Sequence, residues 1–421
     1  MKISFIIPNF RKPFTQFPVG TLNIASILHA ENHEVNITDL RIDDIEKHLH
    51  KIKQADVIFV VSTTYDFIQC YGIKSDLKLT KEIVKVIKTF NDCKIYLIGA
   101  HGTVLPKATL KMTKVDGIIR GEFEDNVYYF INSFSKYKNM KIFPSSKIKV
   151  DRYDLNNLRV DYSLINVDKY YGEIVNDNKV EFGKTALILG NRGCPYRCDF
   201  CHVIFNDMVM RKPINVFKDI RNLYKKYSTR NFFFLDYTFT ANKRWVMELC
   251  NLIIESKMDI SWICQTRFDI IEQNTLQIMK NAGCSGIWYG IENPFSYFKN
   301  KNKTKEDMER IIKMTQEIGI IPFLFLLFQM PNEKVSDVLQ INKWLNKMKA
   351  YFVASKLLPR PGTKLFKEIS GEKMVEELSW DAVFQALEKN WNSLEDKKIY
   401  EEIFEELENN RWHLMNYKRR G

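Results

Sequence analysis

Continuous apolar runs alternate with stretches of helical periodicity through residues 1–134. Val57–Val61 and Ile95–Ile98 are continuous apolar runs, Lys2–Pro8 is apolar apart from Lys2 and Ser4, and Glu34–Ile37 and Gly117–Ile119 read as short strands. Between them, Gly20–Ala30 has helical spacing, with Leu22, Ile24, Ile27 and Leu28. Ile42–Ile52, Leu77–Phe90 and the segment from Glu124 onward also read as helices. Strands that are apolar on both faces need helices on both sides, which predicts a parallel sheet. Residues 1–134 therefore read as a Rossmann-like, doubly wound α/β domain.

Residues 135–184 are richer in Lys, Asp and Asn and read as a linker with some local structure. A second alternating series occupies 185–370. Its predicted strands are Thr185–Leu189, Phe232–Leu235, Asp259–Cys264, Gly286–Gly290, Pro322–Phe328 and Tyr351–Leu357. Helices fit between them at Val216–Tyr227, Arg244–Ser256, Ile271–Asn281, Lys305–Ile318 and Val335–Met348. Six such units suit a partial (β/α)6 barrel rather than a closed eight-fold one. Residues 371–421 turn helical and charged, with Trp380, Trp391 and Trp412 expected to pack on a neighbouring domain.

Composition adds little to this picture. Hydrophobic residues make up 45% of the 421 and charged residues 27%, an ordinary globular balance. The net charge of +12 is spread along the chain, so it reads as a lysine-rich background, and a nucleic-acid partner is not expected. No apolar run reaches the roughly 18 residues of a membrane span. The N-terminal run is too short for a signal peptide. Eight cysteines in such a chain favour reduced thiols or metal ligands over a disulfide framework. A cytoplasmic location follows from these readings.

The chemistry concentrates in Cys194-Pro-Tyr-Arg-Cys198-Asp-Phe-Cys201, directly after the first barrel strand and Gly190-Asn-Arg-Gly193. Three cysteines spaced four and three apart fit one tight loop. A 4Fe-4S cluster normally takes four protein thiolates. Three leave one iron open for a small ligand, as a catalytic centre requires. The competing reading is zinc with a remote fourth ligand such as His202.

This motif, with the aromatic Phe200 before its last cysteine, resembles that of the radical S-adenosylmethionine (SAM) superfamily. Other segments resemble the subgroup that carries an N-terminal cobalamin-binding domain. They are Asp161–Tyr170 before the barrel, Phe234–Arg244 on the second strand, Trp262–Asp269 on the third, Gly286–Glu292 on the fourth and Pro359–Thr363 at the sixth-strand exit. The resemblance implies that Cys194, Cys198 and Cys201 hold the cluster. It also implies that the open iron chelates SAM, and that Phe200 belongs with the cofactor-binding residues. The remaining groups of SAM then need partners. Glu292 is placed to accept from the ribose hydroxyls, and Arg267 to pair with the methionine carboxylate. Asp236 and Tyr237 are the catalytic candidates, placed to meet the amino group or the substrate. All lie at carboxyl ends of barrel strands, where such sites gather.

The N-terminal domain resembles the subgroup's cobalamin module at Phe17-Pro-Val-Gly20, Ser62-Thr-Thr64, Gly99-Ala-His-Gly-Thr103 and Gly121-Glu122. Ser62, Thr63, Gly99, His101, Gly102 and Gly121 are accordingly the expected cobalamin-binding positions, at the topological switch point of the sheet. No Asp-x-His-x-x-Gly sequence is present to supply a histidine ligand to cobalt. The fifth barrel strand departs from the subgroup at Phe328-Gln-Met-Pro-Asn-Glu333, where Gln329 and Asn332 replace glycines. Cys250, Cys264 and Cys284 lie on apolar patterns and read as core thiols.

The resemblance implies a cobalamin-dependent radical SAM enzyme that methylates an unactivated carbon of a peptide or natural product, with a flavodoxin or ferredoxin as electron donor. Cyclisation, ring contraction, epimerisation or oxidation on the same scaffold is the first alternative. A non-enzymatic iron–sulfur or zinc-binding regulatory protein is the alternative from another class.

Overall fold

The structure is a computed structural model that describes residues 1–9, 15–62, 74–176, 179–201, 207–295, 304–330, 333–357, 360–370, 379–382 and 394–414. Contacts divide the chain into two compact units. One comprises Met1–Tyr170, Asp199–Ile204 and Pro359–Glu388; the other comprises Tyr171–Cys198, Phe205–Leu358 and Lys389–Gly421.

The first unit is built on strands β1 (Lys2–Ile7), β2 (Glu34–Asp39), β3 (Val57–Val61), β4 (Lys94–Ile98), β5 (Gly117–Ile119) and β6 (Ile142–Phe143). They pair in the order β2-β1-β3-β4-β5-β6, every pair parallel. The first five strands have the flavodoxin-like order, with its switch point between β1 and β3. Helices α1 (Val19–Ala30), α2 (Lys74–Ile87), α3 (Ala100–Val104) and α4 (Pro106–Thr113) follow strands in turn. Ile6, Ile58, Val60, Ile95, Leu97 and Ile118 form the centre of one core cluster with Ile83, Val84 and Ile87 of α2. The doubly wound expectation therefore holds.

Two local readings of this unit change. Ile42–Ile52 is not one helix: a 3-10 turn at Ile45–His48 and a short helix at Leu49–Lys53 replace it. The reason is Asp39, whose carboxylate takes the Arg41 amide and guanidinium, and whose carbonyl takes the Ile42 and Asp43 amides. That turn consumes the first residues of the expected helix. The polar linker is also more ordered than its composition implies. Leu155, Leu158, Tyr162, Val167 and Tyr170 are all buried, and the Asp161 amide donates to Ser26 Oγ of α1 at 2.9 Å.

The second unit contains β7 (Tyr171–Asn176), β8 (Lys179–Ile188), β9 (Asn191–Arg192), β10 (Val209–Met210), β11 (Asn231–Phe234), β12 (Ser261–Arg267), β13 (Cys284–Gly290), β14 (Ile321–Phe328) and β15 (Tyr351–Lys356). The main sheet runs β15-β14-β13-β12-β11-β8-β7. Its six strands from β8 to β15 are parallel, and the sheet is open, as a partial (β/α)6 barrel requires. The seventh strand, β7, was not expected. It forms an antiparallel hairpin with β8 inside the polar stretch, where one-sided exposure suits an edge strand.

Helices α5 (Pro213–Tyr227), α6 (Lys243–Ser256), α7 (Gln273–Asn281), α8 (Lys305–Glu317), α9 (Ile341–Met348) and α10 (Leu394–Asn409) complete the unit. α6 is capped by the Asn242 side chain, and α8 by a reciprocal Thr304–Asp307 capping box. The expected helix Val335–Met348 is broken, with a separate turn of helix at Val335–Val338. The break exposes Leu339 and lets Ile341, Trp344, Leu345 and Met348 bury together. No helix among the described residues is long and apolar enough to cross a membrane.

Candidate active site

In the second unit the chemistry gathers at the carboxyl ends of β8, β11 and β12. β8 leaves the sheet through Gly190, and Asn191–Arg192 then pair antiparallel with Val209–Met210. The Arg211 amide donates to the Gly190 carbonyl at 3.0 Å. Gly190 is required by space: a Cβ there would lie 2.6 Å from the Trp245 ring and 2.9 Å from Oδ2 of Asp236. This packing brings Asp236, two residues past β11, against the turn that leads to the cysteines.

Asp236 is fully buried, and its Oδ1 accepts a short hydrogen bond from the Asn191 amide. Its Oδ2 has no partner among the described residues, nor has either polar atom of the buried Asn191 side chain. Burial pushes the Asp236 carboxyl up to about 7, against the pull of the Asn191 and Gly190 amides and of Arg211. Unpaired buried polar atoms on two adjacent strand exits make a site for a ligand with both donors and acceptors. Tyr237, next in the chain, is half-buried.

Of the motif cysteines, Cys194 is buried, Cys198 is half-buried and Cys201 is exposed. Cys194 Sγ lies 3.4 Å from the Thr238 hydroxyl, just past Asp236. Cys198 Sγ accepts from Nη1 of Arg267 at 3.7 Å. Among the described residues no group of three or more His, Cys, Asp or Glu is drawn together at metal-binding distances, and the three cysteines form no such group. His202, the alternative zinc ligand, lies outside the described residues. Phe200 is half-buried in the same loop.

Arg267, the last residue of β12, is committed to Asp269 through two parallel bonds of 2.8 and 2.6 Å. Pairing with Asp269 raises its pKa, although burial acts first and in the opposite direction. It is thus a buried ion pair beside a cysteine, not a surface bridge. Glu292, two residues past β13, is half-buried and holds a left-handed backbone at φ 56°. Cys250, Cys264 and Cys284 are buried core thiols, and burial raises the pKa of Cys250 and Cys264.

In the first unit, the expected positions separate into two kinds. Ser62 is fully buried at the end of β3, its amide bonded to the Ile98 carbonyl, and its hydroxyl has no partner among the described residues. Gly99 and Gly121 take positive φ at the ends of β4 and β5, as tight exits there require. His101 and Gly102 are instead interior residues of α3. A Cβ on Gly102 would lie 2.7 Å from Ile118 and 2.9 Å from Leu97, so this glycine serves helix-on-sheet packing. His101 is fully buried, edge-on to Trp380 with centroids 5.1 Å apart, and burial lowers its pKa to about 3. Thr63 lies outside the described residues.

Sequence reasoning passed over Asn191, Thr238, Asp269, Glu333 and Trp380. A polar residue directly after an apolar strand is a usable signal for Asn191. Nothing local marks Trp380 as a partner of His101.

Residues 188–345 match the model of the radical SAM superfamily. That stretch of the chain is a radical SAM domain. An uncharacterized methyltransferase of Pyrococcus horikoshii is 24% identical over 411 residues, covering 90% of this chain and 85% of the relative. The bacteriochlorophyllide d C-8(2)-methyltransferase of Chlorobaculum tepidum is 20% identical over 397 residues, covering 88% and 79%. Among solved structures, the radical SAM methyltransferase TsrM of Kitasatospora setae, with cobalamin and a 4Fe-4S cluster bound, is similar in fold. Its TM-score is 0.67 at 16% identity, covering 88% of this chain and 74% of that one.

Proposed function

We propose that this protein is a cobalamin-dependent radical SAM methyltransferase acting on an unactivated carbon of a peptide or natural-product substrate. The observation that carries the reading is that likeness to two methyltransferases runs through both units rather than through the radical SAM domain alone. TsrM, a cobalamin- and cluster-bound methyltransferase, has the same fold over 88% of this chain.

The residues present fit the three groups. Cys194, Cys198 and Cys201 follow one another within eight residues, the donor chemistry of a cluster with an open iron. The unpaired atoms of Asp236 and Asn191 suit the amino and carboxylate groups of SAM, and Glu292 its ribose. The unpaired Ser62 hydroxyl, with the exits at Gly99 and Gly121, suits the polar tail of cobalamin. His101, buried edge-on to Trp380, would be a neighbour of the bound cobalamin. When bound, the cluster and SAM supply a 5′-deoxyadenosyl radical, and cobalamin supplies a methyl group. The chain's own work is placement and exclusion of water. Arg267, locked on Asp269, donates to Cys198 Sγ at 3.7 Å and so fixes that sulfur relative to the end of β12. Asp236 sits where burial allows it to hold or release a proton near neutral pH. A flavodoxin or ferredoxin is the proposed electron donor.

The test supplies SAM with a trideuterated methyl group, a strong reductant and candidate substrates to the anaerobically reconstituted full chain. Methyl transfer gains one labelled methyl and releases S-adenosylhomocysteine and 5′-deoxyadenosine in a ratio near one to one. A product without the label, formed with 5′-deoxyadenosine alone, overturns methyl transfer in favour of rearrangement or oxidation.

A further inference from the structure

Two neighbouring strands of the barrel leave the sheet under strain. Glu292, after β13, has φ 56°, and Gln329, after β14, has φ 67°. Neither is glycine, so each conformation is strained and persists only where surrounding contacts enforce it. Backbone bonds account for part of this: the Glu292 amide donates to the Phe325 carbonyl and the Leu327 amide to the Glu292 carbonyl.

One carboxylate ties the two exits together. Glu333 Oε1 accepts from Asn293 Nδ2 at 2.6 Å, and Asn293 is the residue after Glu292. Glu333 Oε2 accepts from the amide of Gln329 itself at 2.6 Å. The same oxygen accepts from the hydroxyl of Tyr400 at 2.7 Å. Asn293 is fully buried and Tyr400 is 2% exposed, so these bonds are shielded from water.

Tyr400 comes from α10, 67 residues downstream of Glu333. That helix is fastened on both sides of it. Ile403 and Leu407 are buried, and Phe404 meets Phe328, the last residue of β14, edge to face at 5.4 Å. Beyond the helix, the Trp412 carbonyl accepts from the Phe352 amide at 3.1 Å and His413 bridges to Phe352, covering the free edge of β15. The tyrosine is thus presented on a fixed support.

We infer that Tyr400 is a positioning residue for SAM binding, acting through Glu333 to hold the β13 and β14 exits in their ligand-ready conformations. The inference rests on the proposed reading that Glu292 meets the SAM ribose. A hydrogen bond to a buried carboxyl group shared by two strained exits is the kind whose loss is felt at the ligand rather than in global stability.

The variant is Tyr400→Phe in the full chain, which keeps the ring and removes the hydroxyl. Two measurements are made. The first is amide hydrogen exchange without SAM, which needs no working enzyme. Faster exchange is expected at Glu292 and Leu327, with α10 itself unchanged. The second is SAM affinity by equilibrium dialysis and kinetics on the cluster-loaded protein. A rise of about tenfold in Kd and KM for SAM is expected, with kcat for 5′-deoxyadenosine within about twofold. Phe404→Ala serves as the comparison that loosens the helix without touching Glu333. Unchanged exchange at Glu292 and Leu327 overturns the inference, as does unchanged SAM affinity in a wild type that binds SAM. Equal effects from Tyr400→Phe and Phe404→Ala on α10 exchange also overturn it, because the hydroxyl then has no role of its own. Wild type that binds no SAM at all overturns the proposed function instead, while the exchange result still decides the Tyr400–Glu333 link.

Discussion

The guanidinium of Arg267 lies over the ring of Tyr196, its Cζ 4.0 Å from the ring centroid. Tyr196 sits between Cys194 and Cys198, so β12 and the cysteine loop are joined by a stacked, charged contact. The same guanidinium forks onto Asp269, with both side chains nearly buried. Planarity is essential to all of this, and lysine does not supply it. Arg267→Lys is expected to cost about 1–3 kcal/mol in urea unfolding of the full chain. An unfolding midpoint equal to that of wild type shows the contact to be idle.

The cysteine loop carries a prediction of composition. Anaerobically reconstituted protein should hold about four irons and four sulfides, because three thiolates suit a cluster with one open iron. Replacing Cys194, Cys198 and Cys201 together by Ala should abolish brown colour, iron and SAM cleavage. Retained iron in the triple variant, or zinc in the wild type as isolated, refutes the assignment.

Asp236 makes stability depend on pH. Its carboxyl is raised from 3.8 to about 7 by burial, so the folded chain holds that proton more tightly than the unfolded chain. The stability linked to it is fully present below about pH 4 and is lost as pH rises toward 7. Asp236→Asn removes the dependence while keeping an acceptor for the Asn191 amide. Melting temperatures at pH 5 and pH 8 should therefore fall further in wild type than in the variant. Equal falls, or a larger fall in the variant, contradict the buried, protonated carboxyl.

Trp380 anchors the returning segment of the first unit. It is 2% exposed, lies edge-on to His101 and donates its indole N–H to Thr109 Oγ1 at 2.8 Å. Trp380→Ala should destabilise that unit by about 3–5 kcal/mol, the cost of a deleted buried aromatic. Trp380→Phe should cost about 1–2 kcal/mol, for the lost indole bond to Thr109, whose hydroxyl still donates to the His101 carbonyl at 3.0 Å, and for the smaller ring. Denaturation followed in the full chain checks both, and a harmless Trp380→Ala shows the contact to be superficial.

The two sheets were legible from sequence because parallel strands are buried on both faces. Val57–Val61 and Ile95–Ile98 have no polar position to hide their type. The cysteine loop was legible for a related reason: its chemistry is contiguous, and spacing along the chain stands in for spacing in space. Strand-exit residues such as Asp236, Arg267 and Glu292 were located by position, but not their surroundings. A carboxylate after an apolar strand looks the same in sequence whether it meets water or, like Asp236, is buried with one oxygen unpaired. His101 and Gly102 read as loop residues because small and polar types mark turns. Only the packing of α3 onto Leu97 and Ile118 makes them interior.

What the sequence determined alone was therefore local: the order of strands and helices, the parallel character of both sheets and the chemical type of the cysteine loop. These follow from periodicity and spacing within a few residues. Tertiary structure decided which distant side chains share a site. Trp380 reaches Thr109 across 271 positions and Tyr400 reaches Glu333 across 67. No periodicity carries such information, because a contact that closes a long loop leaves no mark on the residues between its ends.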